Sequence, residues 1–547
     1  MAMFIDRRTM PRTATATSVV AVKASLLAVV AALVAISSAQ AQTLTTWLGN
    51  GSDANWATSG NWSSTPTTSG TWQLFFSGSN QLTNANNIGS VPFNVLQFSS
   101  NAGAFVVSGS ALAGSGNIRN NSAANQTVTN DIAMTSAINF SGTGTGVLNL
   151  AGNISGTTAI NLNDTSGRQI VEFSGSNSNG SSTRVEAGLL KFTSANAMSP
   201  TTNLRFSTDT TRPGGVFGIT SDFSRPLGAS AGGGGISMIG NGGFAAFGAT
   251  RSVTISSGAT LNWGSTSNFL SSVSTLLFSH TTSDATLNFV NAINLDVSGT
   301  NAATRTIDVR NGSAAVDGRL GGIISGTASL RKIGVGTLEL AANNTYKGST
   351  FVDAGTLLVN GNQTSATGTI TVVAGAILGG TGTTGALTAT ITGTLAPGLA
   401  TGLGTLTFAG STVDLSAGSL VASLNSDPTQ FASDLLAITG SGSLNLGGSS
   451  ILDITGPTSF TTSGTYTLAT FASAASQFAT VRYNGAAQGS PTTAGGVNGS
   501  GQLVYNGTDL QLVVVPEPAT IALAGLGLGC VGFAAWRRRG GRRQARR

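Results

Sequence analysis

A chain of 547 residues with a formal net charge of +6 and 8% charged residues has little ionic chemistry for its length. The first 41 residues carry +3 (Arg7, Arg8, Arg12 and Lys23 against Asp6) and residues 516–547 carry +6 (seven arginines against Glu517), which leaves about −3 on the 474 residues between them. That distribution excludes a nucleic-acid-binding face, and 40% hydrophobic content excludes ordinary disorder, so the middle must bury a large core or a long thin one.

In chain order, basic residues precede an apolar run at 24–36 and the small residues of Ala39-Gln40-Ala41. This reads as a signal peptide over 1–41, cut after Ala41 by signal peptidase once the secretory translocon has exported the chain. The Arg7-Arg8 pair lacks the apolar consensus of a twin-arginine signal. Residues 42–105 hold Trp47, Trp56, Trp62 and Trp72, four of the six tryptophans. An N-terminal cap is expected here, because the first layer of a stack needs bulky side chains and a blocked edge. A second reading is sugar binding by exposed indole faces.

Residues 106–515 repeat. FSGSNSNGSSTRVEAGLLKF at 173–192 aligns without gaps to LAANNTYKGSTFVDAGTLLV at 340–359, sharing Asn177/Asn344, Ser182/Ser349, Thr183/Thr350, Val185/Val352, Gly188/Gly355 and Leu190/Leu357. A shorter unit recurs as GTGVLNL at 144–150, GVGTLEL at 334–340 and GLGTLTF at 402–408. The leucines of 337–340 alternate with polar residues, which predicts strands whose Leu338, Leu340, Val352, Leu357 and Val359 point inward. Gly355 and Gly361 sit where tight corners can require positive φ. Short strands at a regular spacing predict an all-β fold, a right-handed parallel β-helix or β-solenoid. At about 20 to 25 residues per coil it would hold about 16 to 20 coils and reach about 80 to 95 Å. GGFAAFGATR at 242–251 reads as a core strand with Phe244 and Phe247.

Catalytic candidates are sparse. His280 is the one histidine and Cys530 the one cysteine, and the acids are scattered singly. Asp308 with Arg310 reads as a surface ion pair. No cofactor and no metal are expected.

The C-terminal segment 516–547 opens with Pro516-Glu517-Pro518, continues through an uncharged stretch at 519–536, long enough to span most of a bilayer core, and closes on a basic tail at 537–547 led by Arg537, Arg538 and Arg539. A transmembrane helix is expected there, with the arginines holding the tail in the cytoplasm.

These three parts in this order resemble the PEP-CTERM sorting signal of Gram-negative bacteria that make exopolysaccharide. The resemblance implies exosortase as partner, Pro516-Glu517-Pro518 as the recognition and processing element, and loss of the span on maturation. Residues 332–361, KIGVGTLELAANNTYKGSTFVDAGTLLVNG, resemble the autotransporter-associated β-strand repeat. The copy at 144–192 departs from it, with Asn179 in place of Tyr346. Autotransporters end in a membrane β-barrel, whereas this tail reads as a helix and arginines. Together the resemblances imply a non-enzymatic structural or adhesive rod. It would be held in the inner membrane before processing, then moved to the cell surface or extracellular matrix to meet exopolysaccharide or other glycans. A β-helix polysaccharide lyase or hydrolase is the alternative.

Overall fold

The computed structural model describes residues 42–514, apart from 165, 194–197, 208, 297–302, 399–401, 426, 428, 429, 459, 461 and 489–500. All regular structure in these residues is β except one 3-10 turn at Ser256–Gly258. Among them no helix is long and apolar enough to cross a membrane. The expected signal peptide at 1–41 and span at 519–536 lie outside the described residues.

The strands form because period-two alternation offers each one a single apolar side. In Thr337–Leu340 and Thr356–Val359 every second residue is buried, and Leu338, Leu340, Leu357 and Val359 are almost fully enclosed, as is Val352. The two strands pair in parallel with Leu338 opposite Leu357 and Leu340 opposite Val359. Four residues cannot enclose their own apolar side. Stacked in register about 4.8 Å apart they build one continuous core, at about 2 kcal/mol per buried leucine.

Eighteen strands follow one another along the longest hydrogen-bonded column, from Thr43–Trp47 to Ser473–Ala474, in a parallel β-solenoid on the order of 80 Å long. Coil length varies more than the sequence repeat predicts. Leu330, Thr350 and Ile370 are register partners 20 residues apart, but Gly242 meets Leu276 after 34 residues and Thr412 meets Ser443 after 31.

The longer coils do structural work. In the first repeat copy Val185 stacks between Leu162 and Phe206, and Leu190 between Val171 and Phe217. In the second, Val352 stacks between Lys332 and Val372, and Leu357 between Leu338 and Leu378. The column containing Leu190 runs on through Gly214–Ile219, Gly242–Ala246, Thr275–Phe278, Thr304–Val309 and Ser329–Ile333 to Thr350–Val352. Val352, not Leu357, therefore lies on Leu190's side of the rod. The second copy is turned by one side relative to the first, and a new 12-stranded sheet starts within the transition at Phe223–Arg225. Phe244 fills the main core there, whereas Phe247 packs on the outer side of the sheet with Leu189, Val216, Ala245 and Leu277. The expectation that both phenylalanines fill the rod is corrected for Phe247.

Both ends are blunted. Residues 61–64 run antiparallel along the free edge of Thr43–Trp47: the Leu48 N–H donates to Asn61 O at 2.7 Å and the Ser63 N–H to Thr46 O at 2.9 Å. Trp62 plugs this layer, edge-on to Trp47 at 5.2 Å and to Trp56 at 5.1 Å. All four tryptophans are at most 8% exposed, so their faces are core surface and offer no platform for sugar rings. The stack itself begins at Thr43, paired with Trp72, and crosses 105–106 without a break, since Thr83 pairs Val106. At the other end Ala486–Ala487, Gly501–Tyr505 and Asp509–Val514 pair antiparallel and close the edges that a further coil would need.

Candidate functional site

A group of ionisable side chains lies at one corner between Ser279 and Thr337. Asp317 is fully buried; one carboxylate oxygen accepts the Gly312 N–H at 2.6 Å and the Ser279 hydroxyl at 3.4 Å, and the other accepts the Thr337 N–H at 2.8 Å. Lys332 points into the rod between Ile307 and Val352, and its ammonium donates to Gly334 O and Ala354 O, both at 2.8 Å. Burial pushes that ammonium down to about 8 against the opposing pull of Asp308 and Asp317. Each charge closes a turn of backbone that would otherwise be left unpaired.

Asp308 and Arg310 form the ion pair that the sequence suggests, 3.7 Å apart with side chains roughly a fifth exposed. Arg310 also donates to Pro213 O at 3.2 Å, tying this corner to a loop 97 residues earlier, and burial lowers its pKa. His280 is buried, and first burial, then the charge of Arg310, hold its ring down to about 4. Its Nδ1 lies 2.9 Å from the Thr282 hydroxyl, while Ser279 turns to Asp317 directly. Serine, histidine and aspartate are thus neighbours here without forming a proton relay, because the ring faces a threonine rather than the serine.

The repeat asparagines have one job in both copies. Asn344 Oδ1 accepts the Ile324 N–H at 2.7 Å and Asn177 Oδ1 accepts the Ile154 N–H at 2.9 Å, each reaching down one coil from a buried position. Asn291, outside the aligned repeats, does the same for Ile255 at 2.7 Å. Tyr346 is enclosed, with its hydroxyl 2.5 Å from that of Thr350, and desolvation raises it to about 12. Where Asn179 replaces it, the Asn179 carbonyl accepts the Thr202 hydroxyl instead. Gly355 has φ +62° and Gly188, its counterpart, +82°. Gly361 is needed for another reason: a Cβ there would stand 2.0 Å from Ala342 O of the coil below.

On the surface, the ladder places several charges beside opposite ones: Lys191 with Glu172 at 2.9 Å, Arg319 with Glu339 at 3.6 Å, and Asp453 in register with Arg482. A cleft of about 200 Å³ opens where the second sheet starts, lined by Phe192, Phe217, Phe223, Asp222 and Arg225. Arg225 donates to the carbonyls of Ser199 (3.0 Å), Gly234 (3.1 Å), Pro200 and Thr202, and the Asp222 carboxylate accepts the Ser252 N–H at 2.8 Å. The charges beside this cleft are therefore engaged in holding loops. Among the described residues no three of His, Cys, Asp and Glu come close enough to hold a metal ion. Ala39, Ala41, Pro516, Glu517, Pro518, Arg537, Arg538 and Arg539 lie outside the described residues.

Comparison with known proteins agrees with the repeat and the tail. Residues 330–359 match the passenger-associated-transport repeat, and residues 514–539 match the PEP-CTERM protein-sorting motif. An 83-residue stretch is 43% identical to an extracellular serine protease of Serratia marcescens, covering 15% of this chain and 8% of that protein. A 62-residue stretch is 50% identical to the adhesin BmaC autotransporter of Brucella suis biovar 1 (strain 1330), covering 11% of this chain and 2% of that protein. The chain thus matches less than a tenth of the length of either curated relative.

Proposed function

From a chain that carries a passenger-associated-transport repeat and a PEP-CTERM sorting motif, we infer a non-enzymatic rod that works as scaffold or adhesin at the cell surface or in the exopolysaccharide matrix. The two motifs indicate an exported, surface-associated protein. In the finer reading, signal peptidase removes 1–41 and the chain pauses in the inner membrane through 519–536. Exosortase then acts at Pro516-Glu517-Pro518, and the exported coils wind right-handed. The name of the Brucella relative, an adhesin, supports the adhesive role.

One observation carries the non-enzymatic reading: the buried ionisable groups Asp317 and Lys332 are each fastened to backbone groups of neighbouring turns. Such groups stiffen a stack and, held by backbone, are not poised as acid or base over a cleft. The test is incubation of the purified surface form with the cell's own exopolysaccharide. Retention on the polymer without chain shortening supports a scaffold or adhesin. New reducing ends or unsaturated products would replace this reading with a lyase or hydrolase.

A further inference from the structure

We propose that the outward column Asn117–Asn139–Asn161–Arg184–Arg205 is a binding track for an acidic polysaccharide chain lying along the rod. These five residues are successive register partners on one face. At ladder spacing they form a strip about 19 Å long. The Asn161 amide donates to Asn139 Oδ1 at 3.0 Å, which orders the amide part of the strip. Arg119 stands beside it, two residues along from Asn117 on the same outward side.

The arginines depart from the opposite-charge pairing seen at Lys191/Glu172 and Arg319/Glu339. Arg184 and Arg205 are directly opposite each other on adjacent strands, an arrangement that costs stability wherever like charges face across a ladder. No acid offsets it fully. Glu186 lies 3.5 Å from Arg184 but 2.9 Å from Arg212, which also meets Asp209 at 3.4 Å. Among the described residues Arg119 and Arg205 make no ion pair. Two guanidinium forks one strand apart can each take a carboxylate through paired N–H donors, and the amides beside them suit sugar hydroxyls. An extended polyuronate fits this pattern: its carboxylates relieve the repulsion, and its repeat follows the rod axis. This rests on the glycan-binding reading above and names the chemical class and the place.

The test compares retention of the mature protein, purified from the surface fraction, on immobilised polygalacturonate and on its neutral methyl ester. The proposal expects preference for the acid form, weakened about tenfold or more by Arg184→Gln with Arg205→Gln and unchanged by Arg319→Gln with Arg482→Gln, which removes the same charge elsewhere. Equal loss from both pairs, no loss from the first pair, or tighter binding to double-stranded DNA than to polygalacturonate would overturn it. If the Arg184/Arg205 variant loses polygalacturonate but the wild type ignores the cell's own exopolysaccharide, the track stands and the matrix reading falls. If the wild type binds that exopolysaccharide and the variant binds polygalacturonate equally well, the matrix reading stands and the track falls.

Discussion

Asn344 reaches down one coil to accept the backbone N–H of Ile324 at 2.7 Å from a position that is 1% exposed. The bond joins two turns of the stack beside the backbone bond from the Thr345 N–H to Ile324 O at 2.8 Å. Replacing it leaves a buried donor unpaired. Asn344→Ala should therefore cost about 1–3 kcal/mol and speed amide exchange at Ile324. Asn177→Ala should act in the same way on Ile154, through the matching bond at 2.9 Å. Exchange at Ile324 left unchanged by Asn344→Ala would show that the bracket contributes nothing.

The alternation in Thr356–Val359 gives a paired test of the core. Leu357 is 1% exposed and stacks between Leu338 and Leu378, whereas Thr356 lies on the outer side of the same strand. Leu357→Asp should destabilise by more than about 3 kcal/mol, because an unpaired charge enters an apolar column. Thr356→Asp should stay within about 0.5 kcal/mol. Denaturant midpoints of the two variants measure the difference, and equal midpoints would mean that the faces are reversed.

Lys332 predicts a pH dependence with a definite sign. Its pKa falls from 10.5 when unfolded to about 8 in the fold, because burial disfavours the ammonium. Below about 8 both states hold the proton and the fold bears the whole burial cost. Above it the folded state gives up the proton first, so stability should rise with pH between about 8 and 10. Tyr346, raised from 10.0 to about 12, works in the opposite direction only above that window. Thermal melts from pH 8 to 10 should show an upward slope that Lys332→Met removes. A slope equal in the two proteins would assign it to other groups.

The inward set Leu338, Leu340, Val352, Leu357 and Val359 was readable from the sequence because period-two alternation alone decides which side of a short strand is apolar. The repeat also marked Asn177 and Asn344 as equivalent. Their job was hidden, because the partner amides lie 23 and 20 residues earlier and depend on coil length. Coil length itself was legible around 330–370 but not from 187 to 306, where glycine- and serine-rich segments add a side without a periodic signal. The Asp308–Arg310 pair was legible because two charges two residues apart on a strand share a face, but nothing local announced the bond from Arg310 to Pro213 O, 97 residues earlier. Lys332 occupies an apolar column, a position that alternation assigns to a hydrophobic residue.

The central claim is a rod exported and sorted through its C-terminal segment, and the C-terminus of the mature surface form tests it most directly. If Pro516-Glu517-Pro518 is a processing signal, mass spectrometry of the surface or medium fraction should find chains ending near Pro518, with no peptide from Arg537 onward. Changing the tripeptide should strand the full-length chain in the inner membrane, although the apolar length and the arginines are untouched. Intact Arg547 on the mature surface form would contradict the account.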